Sequence, residues 1–302
     1  MSESRPSPAP AGAADFPSGQ TMRVSPLVRR LIAPNPSPYT FTGTCSYLIG
    51  KGEIAILDPG PDSEAHLAAL LDAAKGERVA AILVTHTHRD HSSLAMRLKQ
   101  ATGAELIGAR PHAPRPGPQE GLDAAHDLTY QPDRVLGDGE RFMIGGLELE
   151  AIATPGHAAN HLAFAFAAEN SLFSGDHVMA WSTSVVAPPD GSMSDYMASL
   201  EKLRDRPEAI YWPGHGGPVS DPPRYLRAMM GHRRQRESAI LARLEAAPAT
   251  VPEIVEKVYA GIDPKLAGAA GLSTLAHLED LLARGLVARD AAPLREARYW
   301  KA

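Results

Sequence analysis

The chain predicts an α/β domain followed by a small helical unit that ends in a hairpin. Three features of the 302 residues carry this expectation. Short apolar runs bounded by Gly, Pro and Asp recur along the first two thirds of the chain. Stretches of helical spacing follow strand runs twice over. Beyond Trp212 the texture changes to helices, with two short apolar runs at the end.

In chain order, residues 24–32, 44–49 and 53–57 read as strands. Residues 63–74 have helical spacing, with Leu67, Leu70 and Leu71 on one face, Ser63 as N-cap and Gly76 as stop. Residues 79–84 form the next strand and 93–102 the next helix. The segment 110–133 is rich in Pro, Gly and His and long for a structureless loop, which suggests a lid or substrate edge. Residues 141–144 and 147–153 flank Gly145-Gly146, a hairpin signal, and 162–166 and 171–173 are further strands. Residues 222–244 read as one long helix, broken at Ala246-Ala247-Pro248. Helices at 252–259 and 273–284, then a hairpin of 286–288 with 298–300, make a winged-helix pattern. The expected organisation is therefore a disordered tail at 1–20, a catalytic domain at 21–245 and a winged-helix-like domain at 246–302.

At 44% hydrophobic and 22% charged, the composition is that of an ordinary globular protein. A formal charge of −5 argues against nucleic-acid binding by global charge. Residues 249–302 carry seven basic and seven acidic residues, and Glu279 and Asp280 sit in the helix that would read a duplex. Packing or oligomer contact, within a homo-oligomer, is expected of that unit, and duplex DNA is not an expected partner. The sole cysteine, Cys45, excludes an internal disulfide and lies in an apolar run as a small buried residue. The start, rich in Pro, Ser and Ala, lacks the basic and apolar stretches of a signal peptide, and no run reaches membrane-spanning length. A soluble, cytoplasmic protein with no membrane partner is expected.

The densest chemistry lies in Thr85-His86-Thr87-His88-Arg89-Asp90-His91, directly after an apolar strand. Imidazole and carboxylate together suit zinc or another first-row metal. Two histidines at i and i+2 can converge on one ion from a turn, and the Asp-His pair just beyond can face a second.

The H-x-H-x-D-H pattern identifies the chain as a member of the metallo-β-lactamase superfamily. Thr154-Pro155-Gly156-His157, Ser174-Gly175-Asp176, Pro213-Gly214-His215-Gly216 and Leu57-Asp58-Pro59-Gly60 resemble its later and upstream motifs, in the expected order. Asn35-Pro36, Gly43-Thr44, Tyr47-Leu48 and His232-Arg233-x-x-Arg236-Glu237 resemble the lactamase-beta-like protein 2 group. The resemblance implies a four-layer αβ/βα sandwich and a site for two zinc ions, with manganese or iron able to replace them. It implies His86, His88 and His157 for one ion, Asp90, His91 and His215 for the other, and Asp176 as the bridge. It also implies a metal-bridging hydroxide as nucleophile, since zinc lowers the pKa of water from about 15.7 to roughly 7. Asp90 is expected to orient the nucleophile and take its proton, and Asp58 to fix a ligand imidazole. One departure is Ser92-Ser93, where the family commonly has a glycine pair.

Of the other histidines, His161 either orients substrate or satisfies a buried carbonyl, and His177 points away from the site. His66, His112, His126, His232 and His277 read as surface or packing residues. Trp181-Ser182-Thr183-Ser184 either lines the pocket or forms a solvated turn. On the long helix, Arg233 and Glu237 share the apolar stripe of Leu226, Met229, Met230, Ile240, Leu241 and Leu244. They form either a structural ion pair or, through Arg233, an anchor for an anionic substrate.

The resemblance narrows the substrate. A bridging aspartate is foreign to true β-lactamases of this fold, and the short stretch between Asp176 and His215 leaves no room for the extra domain of the large RNA nucleases. The expected substrate is a single-stranded RNA phosphodiester, supported by the arginine-rich helix, with a small thioester or lactone, as for glyoxalase II, as the alternative.

Overall fold

The computed structural model describes residues 17–113 and 125–302. The tail to residue 16 and the middle of the expected lid lie outside these. The first sheet has seven strands in sequential order: β1 (Met22–Arg23), β2 (Val28–Ile32), β3 (Cys45–Lys51), β4 (Glu53–Leu57), β5 (Arg78–Val84), β6 (Glu105–Gly108) and β7 (Arg134–Val135). Pairing is antiparallel through β4 and parallel beyond it. The second sheet runs, from one edge to the other, β12 (Ile210–Pro213), β11 (Ser171–Gly175), β10 (Leu162–Phe166), β9 (Leu147–Ala153) and β8 (Arg141–Ile144). Gly145 and Gly146, both at positive φ, form the tight turn between β8 and β9 that Gly accepts without steric cost.

Strand alternation sends one face of each sheet inward, and the two inner faces meet over Ile32, Tyr47, Leu57, Leu83, Phe164, Phe166, Phe173 and Trp212. The outer face of the first sheet buries Leu48, Ile56 and Ile82 against α1 (Glu64–Ala73) and α3 (Ala95–Thr102). That of the second sheet buries Ala163, Leu172 and Tyr211 against α4 (Met193–Arg204) and α5 (Pro222–Ala246). Helix, sheet, sheet and helix make the four layers of an αβ/βα sandwich. Ser63 caps α1 as expected, its hydroxyl accepting from the His66 N–H. A short helix α2 (Arg89–Ser92) precedes α3, and α3 matches the expected helix at 93–102 to within two residues at its start. Helix α4 was not expected, although Met193, Tyr196, Leu200 and Leu203 are buried at helical spacing behind the Ser192 cap.

The C-terminal unit contains α6 (Val251–Val258), α7 (Ala267–Ala283) and the hairpin β13 (Val287–Arg289) with β14 (Tyr299–Lys301). Its core takes in Ile240 and Leu244 from the last turns of α5. No helix among the described residues is long and apolar enough to cross a membrane.

Candidate metal centre

Five strands end at one place. Leu57 closes β4 before Asp58, Val84 closes β5 before the histidine run, and Ala153 closes β9 before the His157 turn. Gly175 closes β11 before Asp176, and Pro213 closes β12 before Gly214-His215. A crevice at strand ends is where this class of sheet gathers functional side chains, because the loops are free to vary while the strands hold their roots.

The structure brings all seven expected residues together. His86, His88 and His157 offer ligand atoms within 4.8 Å of one another, as do His86, His91 and Asp176, and Asp90, His91 and His215. Nε2 of His86 and of His157 lie 2.9 and 3.0 Å from Nδ1 of His88. Asp176 stands between the groups, with Oδ1 3.4 Å from His91 Nε2 and Oδ2 3.3 Å from His215 Nε2 and 3.6 Å from His157 Nε2. Asp90 Oδ2 is 3.5 Å from His91 Nε2 and 3.3 Å from His215 Nε2. Oδ1 of Asp176 and Nε2 of His88 are buried without a hydrogen-bond partner, an arrangement costly for polar atoms unless a cation is the partner of the carboxylate. At Gly214 a Cβ would collide with Asp176 Oδ1 and stand 2.7 Å from His91 Cε1, so glycine keeps the cradle open.

Four imidazoles are aimed from behind. His91 Nδ1 meets Asp58 Oδ2 at 2.9 Å, and His86 Nδ1 meets Thr85 Oγ1 at 2.9 Å. His157 Nδ1 is 2.6 Å from the Val185 carbonyl, and His215 Nδ1 3.3 Å from that of Gly43. Each such bond fixes the ring and turns Nε2 to the centre. Asp58, at φ 47, also accepts from Thr85 N and Oγ1, both at 2.8 Å. Thr85 and Gly43 stand in the sequence motifs, but no supporting role was expected of them or of Val185. They act through backbone or a hydroxyl across the fold, and sequence carries no mark of that.

Burial pushes His86, His88 and His157 below the ordinary imidazole value, so they are neutral and can donate a lone pair. Burial also disfavours the charge on His91 and His215, but the surrounding carboxylates outweigh it. They raise His91 well above its usual value and His215 to about 9. The same contacts hold Asp90 and Asp176 below the carboxylate range against the opposing effect of burial.

Several expectations are corrected. His161 does not face substrate. It is buried, its Nδ1 meets Thr154 Oγ1 at 2.8 Å and its Nε2 accepts from Asp176 N at 3.1 Å, so it holds the bridging aspartate's backbone. Arg233 and Glu237 do not pair. Glu237 reaches Arg284, at the C-terminal end of α7, at 2.7 Å, while the Arg233 guanidinium lies over the Tyr196 ring at 5.0 Å and donates to the Ser184 carbonyl. Ser184 is no solvated turn, being buried and donating from its hydroxyl to the carbonyls of Asp176 and His177. Of the two readings left open for His66 and His126, burial selects packing over surface, and the ring of His126 lies 4.6 Å from that of His88. Ser92, in place of glycine, is accommodated by donating to the His88 carbonyl.

Residues 39–215 match the metallo-beta-lactamase superfamily, and residues 250–300 the beta-lactamase associated winged helix domain. The chain belongs to the metallo-beta-lactamase superfamily. It is thus a metal-dependent hydrolase, with His/Asp clusters suited to divalent ions. It is 31% identical over 277 residues to the beta-lactamase-like protein 2 homolog of Drosophila melanogaster, covering 87% of this chain and 90% of that one. It is 30% identical over 261 residues to the atrochrysone carboxyl ACP thioesterase of Aspergillus chevalieri, covering 80% and 76%. Among solved structures, a metallo-beta-lactamase family protein from Thermus thermophilus superposes with TM-score 0.77 at 26% identity, covering 93% of this chain and all of that one.

Proposed function

We propose that this superfamily member hydrolyses an acyl thioester at a dinuclear centre, with zinc as the first-choice ion and manganese or iron able to replace it. His86, His88 and His157 would hold one ion, Asp90, His91 and His215 the other, and Asp176 both. When bound, the pair supplies Lewis acidity and a water acidic enough to ionise near neutral pH.

The observation that carries the choice of substrate is Arg233. A phosphodiester anchor on the long helix needs a guanidinium free to meet the phosphate beside the ions, and this arginine is buried and committed to the Ser184 carbonyl. One side of the His215 turn is aromatic: Phe41 and Trp181 stack at 5.2 Å, and Gly216 packs under the indole, while its carbonyl accepts from Arg30 on the other side. Such a wall suits an acyl chain, and relatives named as acyl-carrier thioesterases agree with it.

Asp90 is the ligand carboxylate with the more exposed side chain, at 29% against 9% for Asp176. Its Oδ2 is taken by Thr44 Oγ1 and the two histidines, which leaves Oδ1 to receive a proton. Water adds to the thioester carbon, the C–S bond breaks, and the proton held at Asp90 Oδ1 passes to the departing thiolate, giving a carboxylic acid and a thiol. Metal-loaded protein should release free thiol from short acyl thioesters and leave single-stranded RNA intact, with thiol release abolished in Asp176→Ala of unchanged fold. RNA cleavage without thiol release would overturn the proposal in favour of the phosphodiesterase.

A further inference from the structure

His112, His126 and Asp190 meet beside the centre but take no part in it. The imidazoles of His112 and His126 stack in parallel, 2° apart in plane and 3.7 Å between centroids, with one edge of each turned to the Asp190 carboxylate. His126 Nε2 is 3.2 Å from Oδ2 and His112 Nδ1 is 3.6 Å from Oδ1. The three ligand atoms lie within 4.8 Å of one another.

The 3.2 Å contact of His126 with Asp190 also fits a hydrogen bond, so it is the longer His112 separation that favours a ligand set over a hydrogen-bonded cluster. Donor atoms bound at 2.0–2.2 Å around a tetrahedral ion stand about 3.4 Å apart. The nitrogen–oxygen separations in the main centre, 3.3 to 3.6 Å, bracket that value, and so do the two here. A separation of 3.6 Å is too long for a hydrogen bond. Two protonated imidazoles stacked face to face would also repel, whereas two neutral ones sharing an ion do not.

The supporting contacts are those of a ligand set. His126 Nδ1 meets Thr87 Oγ1 at 2.8 Å, which sets the ring so that Nε2 faces Asp190. Thr87 Oγ1 is in turn held by Asn160 Nδ2 at 2.8 Å, and Asp190 Oδ2 accepts from Ala159 N at 3.0 Å.

We propose that His112, His126 and Asp190 form a third divalent-cation site, for zinc or a similar first-row ion, independent of the dinuclear centre. With three protein ligands it keeps a position for water. Its ion joins the segments that carry His112 and His126 to the one that carries Asp190. It lies behind the His88 ligand, whose backbone bridges to His126.

The test is the metal content of the full chain after equilibration in one zinc buffer. Asp190→Asn, which keeps an acceptor for Ala159, and His112→Gln, at the edge of the cluster, should each bind one equivalent fewer than the wild type. A His86→Ala/Asp176→Ala protein should keep one equivalent and lose it when Asp190→Asn is added. Equal content in the wild type, Asp190→Asn and His112→Gln would overturn the third site. A failure of the dinuclear centre shows separately, as no loss of metal in His86→Ala/Asp176→Ala.

Discussion

Each ligand imidazole has two nitrogens, and four of those in the centre spend one on an acceptor behind them. Asp58 has the most demanding position, since its two oxygens accept from Thr85 N, Thr85 Oγ1 and His91 Nδ1 together. An amide cannot reproduce this, because its NH2 must meet one of those donors. Asp58→Asn should therefore leave the ligands in place and weaken metal retention by about 10–100-fold, the usual cost of losing such support. Competition against a graded chelator measures this, and retention equal to wild type would show that Asp58 does not aim His91. At this scale the ligands were legible because each follows an apolar strand in a short motif. His112, His126 and Asp190 were not, since each stands alone in sequence and only tertiary contact brings them to one point. Arg233 was legible as a buried cation, but its partner was not.

Helix α5 shows why. Periodicity gives the face of a helix and says nothing of what lies opposite. Four residues advance the helix by roughly 40° beyond a full turn, so Glu237 drifts off the line of Arg233 and meets Arg284 across the interface. Arg233 instead supports the 184–185 segment, whose Val185 carbonyl orients His157 and whose Ser184 hydroxyl holds the backbone at Asp176. Arg233→Met keeps the buried stem and removes the donor. It should lower kcat and metal retention together with little change in KM for a thioester, and cost about 1.5–3 kcal/mol of stability, as for a hydrogen bond from a charged group. Thermal melting and steady-state kinetics on the same protein check both. A raised KM with unchanged kcat and retention would instead restore the substrate-anchor role. Helix α4 was missed for a different reason. Its start lies close behind the site motifs, and its apolar spacing at Met193, Tyr196, Leu200 and Leu203 was available to be read.

Across the whole molecule, α5 belongs to two cores: Leu226, Met229 and Met230 pack on the second sheet, while Ile240 and Leu244 pack with α6 and α7. The sandwich and the winged unit therefore share a helix and should lose structure together. Both also bury a neutral histidine away from the centre. Burial lowers His66, under the first sheet, to about 4, and burial together with nearby arginines lowers His277, on α7, to about 3. In the unfolded chain each titrates near 6.5. Between that value and the folded one, the unfolded state binds a proton that the folded state does not, so stability falls as pH falls through this window. By pH 5 the loss is about 2 kcal/mol for each of these groups. His277→Leu removes one of them and leaves the metal ligands untouched. In chelator, to keep metal release out of the comparison, the loss of unfolding free energy between pH 7 and pH 5 should be about 2 kcal/mol smaller in His277→Leu than in wild type. Urea titrations at the two pH values measure it. Equal losses in the two proteins would mean that His277 takes up its proton while the winged unit is still folded.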